Sequence, residues 1–210
     1  MHNRRPLRIA STIGPIETGL LPALEAAFSG RTAVPVEHDA LGTGALDRAK
    51  RGGIDAVIAH ARGLEERFVA DGWGLERQPF AANDFVLVGP SNDPAGRQSA
   101  DPLAALRRIA DSGATFLSRG DRSGTHIKEQ ELWRAAGIDP DGTSWYRTAG
   151  AGMAGSAATA REAVERGAYT LVDRATHLTA RPSLTVVCEG DPRLLNVPSI
   201  LPVNPRRPPT

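Results

Sequence analysis

The amino-acid order predicts an α/β fold of mixed, mostly parallel strands arranged as two lobes. Two observations carry this. Short apolar runs with strand character alternate with segments of helical spacing along the whole chain. Polar turns follow strand ends at four places, where open α/β sheets take up ligands. These are Ser11-Thr12-Ile13-Gly14, Leu41-Gly42-Thr43-Gly44, the run from Ser118 to His126, and Gly150-Ala151-Gly152-Met153. Two fall in each half, and a cleft between two lobes would bring both pairs together around a small solute.

In chain order, residues 7–10 read as a strand. Residues 19–28 read as a helix with Leu20, Leu21, Leu24 and Ala27 on its inner face. A strand at 33–37, a short helix at 45–51, a buried strand at 56–59 and a helix at 64–70 follow, the last ended by Asp71-Gly72-Trp73-Gly74. The strand at 84–89 stops at Pro90, and a helix at 103–110 turns Leu103, Leu106 and Ile109 inward. Residues 114–117 form a short apolar strand, and 127–137 have helical spacing with a glycine stop. After a loop holding Trp145 and Tyr146 come a helix at 154–166, strands at 169–172 and 184–188, an extended stretch at 196–203 and a proline-rich tail.

The run Ser118-Arg119-Gly120-Asp121-Arg122-Ser123-Gly124-Thr125-His126 lies between a strand and a helix. Such a turn aims unpaired backbone N–H groups at one point, and the positive end of the helix dipole adds to them. An arginine and three hydroxyls in the same turn suit an anion. The same residues also suit an ordinary helix cap that binds only water, and both readings stand at this point. Asp121 reads as an ion-pair partner that orients the turn rather than as a base. Asp173 and Arg174 read as a structural pair, Trp133 as core, and Glu129 and Glu131 as a solvated helix face.

Composition narrows the function classes. The 210 residues include 25 basic and 24 acidic side chains, a net charge of +1, which leaves no footprint for nucleic acid and no polybasic membrane patch. Aromatic content of 5% leaves no stacking platform for single strands. No stretch is apolar for long enough to insert in a bilayer. The lone Cys188 reads as a buried strand thiol. The five histidines show no metal-ligand spacing, so no metal or cofactor is expected. No residue set offers a positioned nucleophile and base, so an enzyme is not expected. The first residues carry charge but no apolar segment of the signal-peptide kind, so the sequence as written reads as cytoplasmic or as a mature fragment.

The assembled motifs resemble the tungstate-binding family of ABC-transporter solute-binding proteins, of the type II periplasmic binding fold. The stretches that carry the likeness include Gly42-Thr43-Gly44-Ala45-Leu46, Asn83-Asp84-Phe85-Val86-Leu87-Val88-Gly89-Pro90, the whole Ser118–His126 run, and Glu131-Leu132-Trp133. Gly167-Ala168-Tyr169-Thr170-Leu171-Val172-Asp173-Arg174, Glu189-Gly190-Asp191-Pro192-Arg193 and Val203-Asn204-Pro205 continue it in order. The resemblance implies lobe one at residues 1–86, completed by 200–210 with a shortened C-terminal part, and lobe two at 87–199. It implies an oxyanion, tungstate or molybdate, held without catalysis, an ABC permease as partner, and a periplasmic or cell-surface location. It places Arg119 as the charged ligand, with Ser118, Ser123, Gly124 and Thr125 at the helix start and Ser11, Thr12 and Thr43 from lobe one.

The first turn departs from the family's usual Thr-Thr-Thr-Ser run, because Ile13 and Gly14 remove two hydroxyls. Each lost charge-assisted hydrogen bond weakens binding by roughly 1.5–3 kcal/mol. The alternative readings are a cytoplasmic oxyanion-sensing or regulatory module on the same fold, and a degenerate fragment that binds nothing.

Overall fold

Four consecutive apolar residues, Phe85-Val86-Leu87-Val88, have no polar neighbour to turn toward water, so their strand must be covered on both faces. The computed structural model, which describes residues 5–41, 44–93 and 99–210, shows this. Phe85 and Leu87 enter a core with Ile109, Phe116, Trp133 and Tyr169. Val86 and Val88 enter another with Leu117, Ala163 and Val172.

The chain forms two units, one from its start to Ala82 and from Val197 to Thr210, the other Asn83–Asn196. In the first unit, β1 (Leu7–Ser11), α1 (Gly14–Glu17), α2 (Leu20–Thr32), β2 (Val36–Ala40), α3 (Ala45–Lys50), β3 (Ala56–Ala59), α4 (Arg62–Ala70) and β4 (Gln78–Pro79) follow in order. In the second unit come β5 (Asn83–Gly89), α5 (Pro102–Ser112), β6 (Phe116–Ser118), α6 (Gly124–Ala135), β7 (Tyr146–Thr148), α7 (Ser156–Arg166), β8 (Thr170–Asp173), α8 (Arg174–Ala180), β9 (Thr185–Cys188) and β10 (Leu195–Asn196). Finally β11 (Ser199–Pro202) returns the chain to the first unit.

The first sheet has the order β2-β1-β3-β11-β4. Strands β1, β2 and β3 run parallel, and β11 joins antiparallel between β3 and β4. In the second unit β5 pairs antiparallel with β8 on one side and with β9 and β10 on the other. The small β6–β7 pair is parallel. The sheets are thus mixed, but antiparallel pairing exceeds the expected share. The reason is that β5 and β11, which enter and leave the second unit, run against their neighbours.

Residues expected at strand 33–37 are displaced. Helix α2 runs on to Thr32 and ends with Ala33 in a left-handed conformation, so β2 begins at Val36. Of the apolar face expected on α2, only Leu21 is buried, against Ile9 and Ile58, while Leu20, Leu24 and Phe28 stay exposed. The helix therefore meets the sheet through a single turn. Tyr146, expected in a loop, opens β7 because it lies beside β6, while Trp145 stays in the bend before it. The tail packs on the first unit: Asn204 Nδ2 donates to the Gly72 carbonyl at 2.9 Å, and the Arg207 guanidinium lies 4.7 Å over the Trp73 ring.

Helix ends follow from local chemistry. Asp101 caps α5 by accepting the Leu103 N–H at 3.0 Å, with Pro102 at the first helical position. Asp173 caps α8 by accepting from Thr176 N at 2.9 Å and from its hydroxyl at 2.6 Å. Arg174 turns away from Asp173 and forks onto Asp84, both contacts at 2.6 Å, and also reaches Glu189. The expected Asp173–Arg174 pair is therefore two separate anchors. Trp133 is core, meeting Phe116 edge-on at 5.1 Å. Cys188 is a buried free thiol, and burial pushes its ionisation up to about 11. Among the described residues no helix is long and apolar enough to cross a membrane.

One buried ion pair in the first unit is a direct stability probe. Glu65 is fully buried and accepts from Arg77 Nε at 2.6 Å. Burial pushes its carboxyl upward and Arg77 opposes this. Arg77→Ala should cost about 3 kcal/mol in urea unfolding at neutral pH. The loss should shrink on acidification, as the abandoned carboxyl takes up a proton.

Candidate functional site

The turn after β6 is built by two glycines whose freedom is used. Gly120 has φ 65°, and a Cβ there would come 2.3 Å from Thr148 Cγ2. Gly152, opening a 3₁₀ turn before α7, would place a Cβ 1.9 Å from the Arg119 carbonyl oxygen. The two polar turns of the second unit therefore touch backbone to backbone, which only glycine at 152 permits.

Arg119 joins them. Although charged, it is only 7% exposed. One terminal nitrogen donates to Ser156 Oγ at 2.9 Å. The other donates to Asp121 Oδ2 at 2.5 Å, with the Gly152 carbonyl at 3.4 Å. Asp121 also accepts the Ser123 N–H at 3.0 Å, so it orients both the guanidinium and the turn, as expected. The Arg119 Nε–H is buried with no hydrogen-bond partner. A buried guanidinium donor left unmatched is costly and calls for an acceptor.

Around it stand the other expected residues. Ser123 caps α6, its Oγ accepting from His126 N at 3.4 Å. Gly124 and Thr125 occupy the first helical positions, whose N–H groups have no acceptor inside the helix. The Thr125 hydroxyl is buried and lies 3.4 Å from Ser156 Oγ. Ser118 is buried, its Oγ accepting from Gly120 N at 3.2 Å. The starts of α6 and α7 thus converge on one guanidinium. His126 is a fastener of the turn: its Nδ1 accepts the Arg122 N–H at 3.0 Å, and burial pushes its basicity down.

Ser156 was not anticipated from sequence. Its signal is the serine that follows Gly155 just after the recognised 150–153 turn, a position assigned to the helix interior because α7 was expected to begin at 154. Glu129, expected on a solvated face, is 2% exposed, whereas Glu131 does face solvent. Glu129 lies one helical turn after Thr125 on the same inward face. Its Oε1 accepts the Tyr146 hydroxyl at 2.6 Å, and Tyr146 in turn accepts from Gln130 Nε2 at 2.7 Å. Burial pushes the Glu129 carboxyl up to about 7, against hydrogen bonds from Tyr146, Ser118 and the Arg119 backbone.

In the first unit, Ser11 and Thr12 end β1. The Ser11 hydroxyl is engaged: it donates to the Thr12 carbonyl at 2.9 Å and lies 2.6 Å from His38 Nε2, while His38 Nδ1 meets Glu25 Oε1. Thr12 is 6% exposed, and its hydroxyl is buried without a partner. Of the two, Thr12 is the one with a donor to spare. Thr43 lies outside the described residues. Among the described residues no group of side chains is arranged to hold a metal ion.

Comparison with known proteins agrees with this architecture. A family model described as the PBP superfamily domain matches residues 5–209. The crystal structure of the tungstate ABC transporter from Geobacter sulfurreducens superposes with a TM-score of 0.85 at 44% identity, covering 96% of this chain and 86% of that one. The chain belongs to the PBP superfamily, and within it to the family of tungstate-binding proteins. The tungstate-binding protein TupA of Peptoclostridium acidaminophilum is 40% identical over 94% of this chain and 70% of its own length. A Haloferax volcanii relative is 42% identical over 96% of this chain, which spans 60% of that relative's length.

Two changes test the construction of the site. Gly152→Ala forces the Arg119 backbone away and should destabilise the protein by about 1–3 kcal/mol, read by thermal unfolding. Glu129, raised from 4.5 to about 7 on folding, contributes its full stability below pH 4.5 and loses it as pH rises through 7. That displacement corresponds to roughly 3 kcal/mol. Glu129→Gln should therefore gain on the wild type in urea unfolding as pH rises from 4.5 to 8.

Proposed function

We propose that the protein is a solute-binding protein for a small tetrahedral oxyanion, tungstate or molybdate, serving an ABC permease and binding without catalysis. The observation that carries this is the buried Arg119 guanidinium with an unmatched Nε–H, set between two helix starts. A tetrahedral dianion accepts from several directions at once. It matches a cradle of one guanidinium, the hydroxyls of Ser118, Ser123 and Thr125, and the N–H groups of Gly124 and Thr125. Thr12 of the first unit, whose hydroxyl has no partner, and Thr43 are retained as further candidates, and Ser11 acts by fixing the strand end. The names of the Peptoclostridium and Geobacter relatives supply the anion, and the donor chemistry of this chain is compatible with it.

Calorimetric titration with sodium tungstate, molybdate and sulfate tests the reading. Saturable binding well below millimolar is expected for tungstate or molybdate. Its absence for both would reject the proposal. Arg119→Ala should weaken affinity at least about 100-fold, because it deletes a charged donor that makes more than one bond. Arg119→Lys should restore only part of it, since lysine has no equivalent of Nε. Thr12→Val should weaken it about tenfold.

A further inference from the structure

Glu129 is a buried acid placed directly behind an anion-binding turn, and the proposed function does not use it. On one side its side chain borders an apolar pocket lined by Leu87, Leu106, Phe116, Leu132, Leu171 and Leu194. On the other side Tyr146 donates to it at 2.6 Å, and the Ser118 hydroxyl and the Arg119 backbone N–H face it. These last two groups belong to the residues that would receive the anion.

We infer that Glu129 couples anion capture to proton uptake: as a dianion settles on the Ser118–Arg119 turn, the Glu129 carboxylate takes one proton from solvent and becomes a neutral acid. The inference rests on the oxyanion reading above. Three physical steps lead to it. The Ser118 hydroxyl faces the Glu129 carboxyl, so a charged carboxylate competes with the anion for its proton. A dianion arriving there adds two like charges beside a carboxylate that apolar surroundings screen poorly. Protonation removes the repulsion and leaves the Ser118 hydroxyl free to donate to the ligand. The balance is one proton consumed per anion bound, with no bond made or broken in the anion.

Other titratable and charged groups near Glu129 among the described residues are Tyr146 from β7, Arg119 and Asp121 from the turn, and His126 on α6, with Asp141 acting on Tyr146. Tyr146 is pushed far upward by burial and by Glu129, so it stays protonated. Asp121 is paired with Arg119 at 2.5 Å. His126 is the remaining group able to take a proton near neutrality, and it must be separated from Glu129 by experiment. A carboxyl already near 7 in the free protein needs only a further rise to become protonated throughout the neutral range.

The test is calorimetry with sodium tungstate in pairs of buffers of different ionisation heat, from pH 6 to 8.5, on the wild type and on Glu129→Gln. The wild type should take up close to one proton at pH 8 and little at pH 6. Its affinity should fall by up to about tenfold between pH 7 and 8. Glu129→Gln should take up none, and its affinity should be flat over that range. Zero uptake in the wild type would overturn the inference. Undiminished uptake in Glu129→Gln would assign the proton to His126 and also overturn it. If neither tungstate nor molybdate produces heat at any pH, the functional reading itself falls and takes this inference with it. Should Glu129→Gln not fold, zero wild-type uptake still overturns the inference, and so does a Tyr146→Phe uptake profile that matches the wild type. Tyr146→Phe then serves as the second variant, and by removing a donor that favours the carboxylate it should move the uptake to higher pH.

Discussion

The contact between Arg119 and Ser156 governs the second unit's functional face. It bridges residues 37 positions apart and fixes the start of α6 relative to the start of α7. Everything else in the turn serves it. Gly152 lets the two backbones meet, Asp121 sets the plane of the guanidinium, and Ser123 and His126 close the first turn of α6. A guanidinium gripped at both terminal nitrogens has little rotamer freedom left to lose when a ligand arrives, so its remaining donor is pre-aimed.

That grip depends on packing beneath it. Strand β6 is only three residues long, and its place is set by β7 at one edge and by the Phe116 bridge to Tyr169. Phe116 lies against Trp133 and Tyr146, whose neighbour Trp145 extends the aromatic cluster. The aromatic side chains thus anchor the strand that presents Ser118 and Arg119. The same aromatic environment deprives Glu129 of water, so core packing and site electrostatics are one arrangement.

Local chemistry made much of this legible in the sequence. The Ser118–His126 run carries its own helix-cap signals, and the strand 84–89 carries an unbroken apolar pattern that admits one interpretation. Other features depend on contacts that adjacency does not encode. Ser156 contributes only because Gly152 brings α7 to Arg119. Glu129 looks like a surface acid beside Lys128 and Glu131 until the helix phase and the position of Tyr146 are known. Ser11 reads as a free donor, and only the β1–β2 register with the placement of Glu25 on α2 shows its hydroxyl engaged. The exposed face of α2 is a further case: helical spacing predicts which residues align, but not what lies opposite them.

Two acids, Asp121 and Glu129, sit beside a site proposed for an anion, and their presence narrows what the site can favour. They offset the charge of Arg119, so the empty turn is not an unbalanced cation buried in protein, a state that would be strongly unfavourable. Net attraction for anions is reduced in consequence. Affinity must then come from directed bonds to a ligand that presents oxygens toward Nε, the hydroxyls and the helix-start N–H groups together. A planar or monodentate anion satisfies only part of that set and still bears the repulsion of the Asp121 carboxylate. Discrimination in such a site rests on the geometry of the acceptor more than on its charge, and the acids are what make the geometry decisive.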